Sequence, residues 1–440
     1  MGAQQERRQK TKTGKTYLVS GKEKTVITAD ADSRKHFDVI VIGAGAAGLA
    51  AAIGAGRSGA KVLVLEQRPE PCKKLYATGN GRCNFANLSI RPEDYRGSGA
   101  GLALQLTEEY SVEKLRDFFA SLGLMSKAMG AYIYPYNEQA TAVAAALLSE
   151  CHRLGVVIRT DEAAVDIIQK YRVVTKNGTY DAPCIIITVG GKASPTHGSD
   201  GNFNKVIRKL GHEILLQQPA LVPLQFENKA LSSLAGVRVK CAVTLSIEAG
   251  TFTEQGEVIF NKDNISGICV MQLSRYAVYA LAEGKKPVLL LDLFPEISLE
   301  ELQSSLEKSF AISDGKERSA KKALSMCVHE KVASLLLSLS GADENMPSCK
   351  LSRQQIDILA SLAKAFPVEI TGNCGFSRAQ VTAGGVRCDQ ITDELESRLC
   401  PGIFFAGEVL DVDGTCGGYN LHFAFASGYK AGTESARICR

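Results

Sequence analysis

Three patterns are missing from this 440-residue chain, and each absence argues against a class of protein. No uninterrupted apolar run is long enough to cross a bilayer, so we expect no membrane span. None of the thirteen cysteines forms a C-x-x-C motif, which disfavours a disulfide framework or a metal cluster. The six histidines have no short spacing typical of metal ligands. We therefore expect reduced thiols, no metal site and a cytoplasmic location.

Size and charge suggest how the chain is organised. At 440 residues it is long for one core, so we expect two domains, one inserted into the other. The net charge is +4, and residues 1–36 carry nine Lys or Arg against four Asp or Glu. This segment lacks an apolar stretch and is interpreted as a flexible basic tail, not a signal peptide. Its charge permits an anionic partner, but on composition a solvated surface is the more common explanation.

A glycine-rich turn follows the first apolar segment. The run 37–42 predicts a buried strand, and Gly43, Gly45 and Gly48 have the G-x-G-x-x-G spacing before a helix over about 46–58. The first glycine makes the tight turn, the second lets backbone N–H groups approach a pyrophosphate, and the third permits close helix–strand packing. The helix dipole then favours the bound anion.

A carboxylate completes this pattern. Residues 61–65 predict the next buried strand, and Glu66 at its end is placed to accept hydrogen bonds from the two hydroxyls of an adenosine ribose. A glycine turn alone also occurs in ordinary α/β packing. The order strand, glycine turn, helix, strand and acid favours dinucleotide binding.

A second candidate site for the same ligand lies near the C-terminus. Residues 402–431 predict a short buried strand, an acidic loop, a Gly-Gly turn and a helix beginning near Tyr419. A nicotinamide coenzyme does not need this second site, whereas FAD does, because its isoalloxazine lies far from its adenine. The acids Glu408, Asp411 or Asp413 are candidates for the ribityl hydroxyls. The helix start at 418–420 would face the pyrimidine side of the flavin and stabilise its reduced form.

The middle of the chain predicts both helix and strands. A helix is predicted over 141–151, and strands over 156–159 and 163–168 are predicted to pair with each other, which would bring Val165 to the adenine. Residues 184–191 predict an interior strand whose loop either touches the cofactor again or is an ordinary turn.

An insertion is predicted after Pro219. Antiparallel strands are expected over 239–248 and 257–267, and mostly helices over 298–366. The predicted organisation is therefore as follows: a tail, 1–36; the first part of the FAD domain, 37–218; an inserted substrate domain, 219–366; and the second part of the FAD domain, 367–440.

Distinctive motifs run from about residue 37 to the end of the sequence: GAGAAGLAAA at 43–52, KKLYATGNGRCNFAN at 73–87, YIYPYNEQA at 132–140, ITVGGKASPTHGSDG at 187–201, ISGICVMQLSR at 265–275, AQVTAGGV at 379–386 and AGEVLDVDGTCGGYNLHFAFASGYKAG at 406–432. In these segments the chain resembles the BaiN/RdsA family of FAD-dependent oxidoreductases, also described as HI0933-like flavoproteins. The resemblance implies an α/β fold. A glutathione-reductase-like Rossmann FAD domain would carry an inserted β-barrel plus helical domain.

The resemblance also implies a set of FAD contacts. They are Gly43, Gly45, Ala46, Ala47, Gly48, Glu66, Gln67, Lys74, Asn80, Gly81, Arg82, Cys83, Asn84, Thr188, Gly190, Gly191, Gly407, Glu408, Asp413, Gly418, Tyr419 and Asn420. In the loop TGNGRCN, glycine and asparagine tolerate positive φ, while Lys74 and Arg82 carry charges suited to a pyrophosphate.

The implied reaction takes hydride from NAD(P)H and reduces a C=C bond conjugated to a carbonyl. No second G-x-G-x-x-G is present, so the nicotinamide is expected to visit transiently. The motifs YIYPYNEQA and ISGICVMQLSR resemble the bile-acid-reductase branch of the family more than the ribosomal branch. This resemblance favours a 3-oxo bile-acid or steroid-like enone as the substrate. Reduction of uridine to dihydrouridine in ribosomal RNA, oxidation of a small amine such as aminoacetone, and a non-catalytic flavin- and RNA-binding role remain alternatives. Tyr134, Tyr136 and Arg378 are weak candidates for the proton donor, since each residue type is more often a structural hydrogen-bonder.

Overall fold

The computed structural model describes residues 36–168, 171–312 and 318–439, together with two short strands nearer the N-terminus. The chain divides into two compact units, Met1–His36 and Phe37–Arg440. In the first unit, strands β1 (Thr16–Leu18) and β2 (Lys24–Val26) pair antiparallel. The flexible tail predicted for residues 1–36 otherwise lies outside the described residues.

A parallel sheet of five strands forms the base of the second unit. Its strands are β3 (Val39–Ile42), β4 (Val62–Leu65), β9 (Val157–Arg159), β13 (Cys184–Ile187) and β23 (Ile403–Phe405). They follow the order β23-β13-β3-β4-β9, and the first four are buried throughout, as continuous apolar runs covered on both faces should be. Because the strands are parallel, their carboxyl ends meet at one edge of the sheet.

One predicted strand pairing is wrong. Strand β9 lies parallel to β4, whereas β10 (Ala164–Ile168) belongs to a separate antiparallel sheet with β11 (Arg172–Thr175) and β12 (Thr179–Asp181). Between β9 and β10, Asp161 has a φ of 54° and turns the chain out of the central sheet. Strands β9 and β10 are therefore neighbours in sequence but belong to different sheets.

Small residues bring the first and last helices together. Helix α1 (Ala46–Arg57) packs against α13 (Tyr419–Ile438). A Cβ on Gly54 would lie 2.5 Å from the Tyr429 carbonyl oxygen, and a Cβ on Gly432 would lie 2.0 Å from that of Ala51. Backbones this close leave no room for side chains. The glycines of the two helices thus fix the contact between chain regions that are far apart in sequence.

Shorter elements surround the central sheet. The helices are α2 (Lys73–Ala77), α3 (Ala100–Glu109), α4 (Val112–Ser121), α5 (Ala140–Arg153) and α6 (Asn204–Lys209). The strands are β5 (Ala86–Asn87), β6 (Tyr95–Arg96), β7 (Ser126–Met129), β8 (Tyr132–Pro135), β14 (Gln218–Ala220), β22 (Val381–Ala383) and β24 (Asp413–Gly414). Strands β5, β8 and β7 form one antiparallel sheet, while β6 pairs with β24 and β14 with β22.

A further antiparallel sheet has seven strands. They are β15 (Leu224–Gln225), β16 (Arg238–Ile247), β17 (Gly250–Phe260), β18 (Asn264–Ser266), β19 (Val288–Asp292), β20 (Phe366–Glu369) and β21 (Gly372–Asn373), in the order β20-β19-β16-β17-β18-β15-β21. The helices are α7 (Lys229–Ser232), α8 (Ile268–Ala282), α9 (Leu299–Ala311), α10 (Ala320–Leu324), α11 (Glu330–Leu339) and α12 (Arg353–Lys364). The strand predicted over 239–248 corresponds to β16, and the helical stretch is present. The strand predicted over 257–267 is instead divided between the end of β17 and β18, with residues 261–263 between them.

Two main hydrophobic clusters follow from this arrangement. One contains buried residues from 37–207 and 386–436, and the other contains Ala193 and buried residues from 222–379. The domain boundaries at 219 and 366, and the inserted β-barrel, stay predictions. In the part of the chain that the structure describes, no helix combines the length and apolarity needed to cross a membrane.

Candidate functional site

A cavity of about 890 Å³ opens at the carboxyl edge of the central sheet. Its wall includes Ile42 and Leu65 at the ends of β3 and β4, and it reaches Ile268 at the start of α8 and Gly418 at the start of α13. Both predicted glycine turns therefore border the same space. Parallel α/β sheets generally bind their ligands at this edge.

The three glycines of the first turn have different surroundings. Gly43 has a φ of 107°, and a Cβ there would lie 2.6 Å from the Thr188 carbonyl oxygen. A Cβ on Gly48 would lie 1.9 Å from the Gly43 oxygen, whereas one on Gly45 would meet nothing within 4 Å. Gly43 and Gly48 thus serve close packing, and Gly45 borders open space in the cavity.

The start of α1 offers uncompensated N–H groups to this space. Gly45 is the N-cap and supplies no side-chain acceptor, and the first turn contains no acidic residue. The orphan donors and the helix dipole together favour an anion at this position. The arrangement suits a pyrophosphate next to Gly45.

Glu66 also lies on the cavity wall and braces the glycine turn. Its Oε2 accepts a hydrogen bond from the Ala44 N–H at 2.9 Å, and its Oε1 accepts one from the Arg68 N–H at 2.8 Å. Burial raises the pKa of Glu66, while these backbone hydrogen bonds oppose the increase. Two backbone donors leave other lone pairs of this carboxylate available to ligand hydroxyls.

The positive charges of the segment after β4 already have protein partners. Lys74 Nζ lies 2.5 Å from Oε2 of Glu408. Arg82 lies 3.4 Å from Glu138 and stacks over the Tyr134 ring at 5.4 Å. The cations predicted to balance a pyrophosphate are therefore largely balanced within the protein, although both line the cavity.

Positive φ values occur in this loop as predicted. Gly79 and Asn80 both have a φ of 55°, and Gly81 has a φ of 82°. Near them, the Asn84 Oδ1 is buried and has no hydrogen-bond partner among the described residues. A buried acceptor without a partner is costly. A polar ligand group in the cavity would relieve that cost.

Most of the predicted cofactor residues meet at this cavity. Those on its wall are Gly43, Gly45, Ala46, Ala47, Glu66, Gln67, Lys74, Asn80, Arg82, Asn84, Val165, Thr188, Gly190, Glu408, Gly418 and Asn420. Val165 reaches it even though the strand pairing that suggested its position is wrong. Tyr134 and Arg378 also line the cavity, whereas Tyr136 is an exposed residue away from it.

Seven predicted contacts lie off the cavity wall: Gly48, Gly81, Cys83, Gly191, Gly407, Asp413 and Tyr419. Packing accounts for two of the glycines, since a Cβ on Gly191 would lie 2.4 Å from Thr382 Oγ1 and one on Gly407 would lie 2.7 Å from the Ala47 Cβ. Cys83 is buried. The Tyr419 hydroxyl donates to the Ser89 carbonyl at 2.8 Å.

The structure distinguishes the three acids of the C-terminal loop. Asp413 is buried in an ion pair with Arg275, and Asp411 Oδ2 accepts a hydrogen bond from the Ser98 N–H at 2.6 Å. Glu408 alone of the three lines the cavity, where its Oε1 accepts from the Thr382 N–H at 3.0 Å. The ribityl role predicted for Asp413 stays a prediction, but its carboxylate is off the cavity wall and belongs to a buried ion pair.

Sequence reasoning included part of the loop over 194–203 in a family motif but placed no cofactor contact in it. Ser199 is 6% exposed and its Oγ has no partner within the described ranges, and the same is true of His197 Nδ1. Both residues line the cavity. The signal was present in the turn PTHGSDG, whose glycines at 198 and 201 have positive φ. Unpaired buried polar atoms here and at Asn84, with open space at Gly45, fit a polar dinucleotide such as FAD.

Tyr134 is the better placed of the two predicted tyrosines. It is 8% exposed and lines the cavity near Arg82. Burial raises the pKa of Tyr134 above its ordinary value, while the nearby Arg82 opposes the increase. The hydroxyl is therefore protonated at neutral pH and can donate a hydrogen bond.

The fold and this cavity are those of an FAD-dependent oxidoreductase. The family model described as HI0933-like protein Rossmann domain matches residues 37–434, and the chain belongs to this family. The predicted resemblance is thereby confirmed.

Individual relatives have the following similarities. The 3-dehydro-bile acid delta(4,6)-reductase of Clostridium scindens is 37% identical over 405 residues, which cover 90% of this chain and 98% of the relative. The ribosomal RNA dihydrouridine synthase of Escherichia coli is 27% identical, with 90% and 97% covered. The solved 3-ketosteroid delta1-dehydrogenase from Sterolibacterium denitrificans is 13% identical, with 92% and 100% covered and a TM-score of 0.49.

Proposed function

We propose that this protein uses FAD to transfer hydride from NAD(P)H to a C=C bond conjugated to a carbonyl, in a 3-oxo-Δ4 or Δ6 bile-acid or steroid-like enone. The single observation that carries the proposal is the continuous cavity between the two glycine turns. Its support in sequence is the 37% identity to a 3-dehydro-bile acid delta(4,6)-reductase across nearly the whole of both chains.

The residues of the cavity divide into two groups in this proposal. Gly45 and the start of α1 would hold the pyrophosphate, Glu66 the adenosine ribose and Glu408 the ribityl hydroxyls. Gly418 and Asn420 would hold the pyrimidine side of the flavin. When bound, FAD supplies the group that accepts and returns hydride.

The remaining wall would receive the substrate. Ile268 at the start of α8, Leu221 and Val381 supply apolar surface, and Tyr134 supplies a hydroxyl that can donate a proton to the substrate α-carbon. Residues 219–366, which contribute five complete strands to the seven-stranded sheet, would act as the substrate domain. The nicotinamide would reach the same face transiently, because the sequence has no second G-x-G-x-x-G.

Anaerobic stopped-flow spectroscopy of purified holoenzyme tests this function. The enzyme is first reduced with NADH or NADPH and then mixed with a 3-oxo-Δ4 steroid acid, a uracil-bearing ribosomal RNA fragment, or air. Fastest recovery of the oxidised flavin spectrum with the steroid, together with the saturated product, supports the proposal. Fastest recovery with RNA or air, or no reduction by either nicotinamide, contradicts it.

Dihydrouridine synthesis in ribosomal RNA is the second candidate. It is favoured by the 27% identity to the Escherichia coli dihydrouridine synthase over 90% of this chain and by the basic residues of positions 1–36. Both reactions add hydride to the β-carbon of an unsaturated carbonyl. Deletion of residues 1–36 separates them, because RNA retention depends on salt and cationic charge. If the deletion abolishes RNA turnover and leaves steroid turnover unchanged, residues 1–36 serve the RNA reaction, and this outcome supports dihydrouridine synthesis.

A further inference from the structure

Charge on the cavity wall is unevenly balanced. Four cationic side chains line the cavity: Lys73, Lys74, Arg82 and Arg378. The first three face carboxylates, at 2.6 Å from Glu70, 2.5 Å from Glu408 and 3.4 Å from Glu138 respectively. Within the described part of the chain, the Arg378 side chain has no ion pair and no hydrogen bond. This guanidinium is the wall cation still available to a ligand.

The backbone around Arg378 is held from two sides. The residue lies in the connection between β21 and β22, and its N–H donates to the Gly375 carbonyl at 3.1 Å. On one side the Ser194 N–H donates to the Phe376 carbonyl at 2.9 Å, and on the other the Gln380 N–H donates to the Leu221 carbonyl at 3.2 Å. The base of the side chain is therefore fixed while its charged end stays exposed.

Apolar surface lies beside this cation on the same wall. Leu221 and Val381 belong to a small buried cluster against which Met271 and Cys416 pack. Ile268 is 55% exposed and lines the cavity with Leu221 and Val381. This part of the wall thus combines a hydrophobic surface with one unbalanced positive charge. The matching ligand has an apolar body and an anionic end.

We propose that Arg378 binds the carboxylate of the substrate and so determines both the preference for an acidic enone and its orientation in the cavity. This inference rests on the proposed function. Arginine stays protonated in proteins, which makes it a poor proton donor but a strong bidentate partner for a carboxylate. Arg378 is accordingly a specificity-determining residue, and the role of proton donor falls to another group.

The test compares a 3-oxo-Δ4 steroid carboxylic acid with its methyl ester, which has the same ring system without the charge. Arg378→Gln should raise KM for the acid by about 10- to 100-fold and leave KM for the ester and both kcat values near those of the wild type. Arg378→Lys keeps the positive charge but loses the bidentate geometry of the guanidinium. Its KM for the acid should therefore lie between those of wild type and Arg378→Gln. Arg208→Gln removes an exposed arginine of α6 away from the cavity and is the matched control.

Binding is measured separately from turnover by titrating each compound into oxidised holoenzyme and following the flavin spectrum. Tighter binding of the acid than of the ester, lost in Arg378→Gln at unchanged FAD content, supports the inference even if another oxidant proves to be the true substrate. Equal binding of the acid and the ester by wild type overturns it. An equal loss with both compounds, or a fall in kcat alone, also overturns it.

A nicotinamide phosphate is another anion that could reach Arg378. The rate of flavin reduction at varied NADH concentration, measured without any enone, isolates that contact. A weaker NADH affinity in Arg378→Gln, with acid binding unchanged, would overturn the assignment to the substrate. Absence of steroid turnover by wild type, with the acid preference in binding intact, would count against the proposed function alone.

Discussion

Lys74 and Glu408 are 334 residues apart in sequence, yet Nζ of the first lies 2.5 Å from Oε2 of the second. The pair connects helix α2 to the loop after β23, and both residues line the cavity. Glu408 also accepts a hydrogen bond from the Thr382 N–H. One carboxylate thus joins helix α2, strand β22 and the loop after β23 at the proposed cofactor site.

This ion pair should couple the two loops energetically. Both side chains are less than a third exposed, at 28% for Lys74 and 21% for Glu408. We expect a coupling free energy of about 1 kcal/mol between Lys74→Met and Glu408→Gln. Urea unfolding of the apoprotein for wild type, both single variants and the double variant measures it. Strictly additive effects would show that the pair contributes nothing to stability.

Glu66 is expected to be required for cofactor retention. Glu66→Ala removes the acceptor for the Ala44 and Arg68 N–H groups and the proposed ribose contact together, so FAD affinity should fall roughly tenfold or more. Calorimetric titration of apoprotein with FAD measures the change. Glu70→Ala, which removes a nearby carboxylate that pairs with Lys73, provides the comparison. Full flavin occupancy in Glu66→Ala would contradict the ribose role.

The first glycine turn allows stability and cofactor binding to be separated. In Gly45→Ala the new methyl group has free space in the protein, so the apoprotein should lose about 1 kcal/mol or less while FAD affinity falls. In Gly48→Ala the methyl group would lie 1.9 Å from the Gly43 oxygen, and we expect a loss of about 3 kcal/mol. Thermal unfolding without FAD compares the stabilities of the two variants. Equal stabilities would refute the assignment of Gly48 to close packing and of Gly45 to cofactor binding.

In the buried pair of Arg275 and Asp413, we expect each charge chiefly to offset the cost of burying the other. Their side chains are 16% and 2% exposed, and burial lowers the pKa of Arg275. Arg275→Met leaves a buried carboxylate without its cation and should cost about 3 to 5 kcal/mol. Removing both charges in Arg275→Met with Asp413→Leu should recover most of that loss. Urea unfolding provides the measurement, and a double variant as unstable as the single one would contradict compensation.

The elements whose patterns are local were predictable. The helix over 46–58 corresponds to Ala46–Arg57, the helix near Tyr419 begins at Tyr419, and the alternating stretch over 239–248 corresponds to strand β16. Apolar periodicity and glycine spacing act within a few residues, so a linear pattern is enough to reveal them. The family assignment depended on the same kind of local motif.

Partners between distant elements were not predictable in the same way. The sequence offered Glu408, Asp411 and Asp413 as equivalent acids, and only packing against Arg275 and Ser98 removed two of them from the cavity. Likewise β9 and β10 are adjacent in sequence but join different sheets. Each of these pairings depends on which charges and hydrogen-bond donors folding brings within about 3 Å of one another. The order of residues along the chain does not reveal those distances.

The amino-acid order was therefore sufficient to identify the dinucleotide fold, its two glycine turns and the family, because each depends on short-range backbone requirements. The unbalanced charge of Arg378, the unpaired polar atoms of Ser199 and Asn84, and the selection of Glu408 emerged only in the folded chain. Electrostatic balance and burial are properties of neighbours in space, and the neighbours here come from loops hundreds of residues apart.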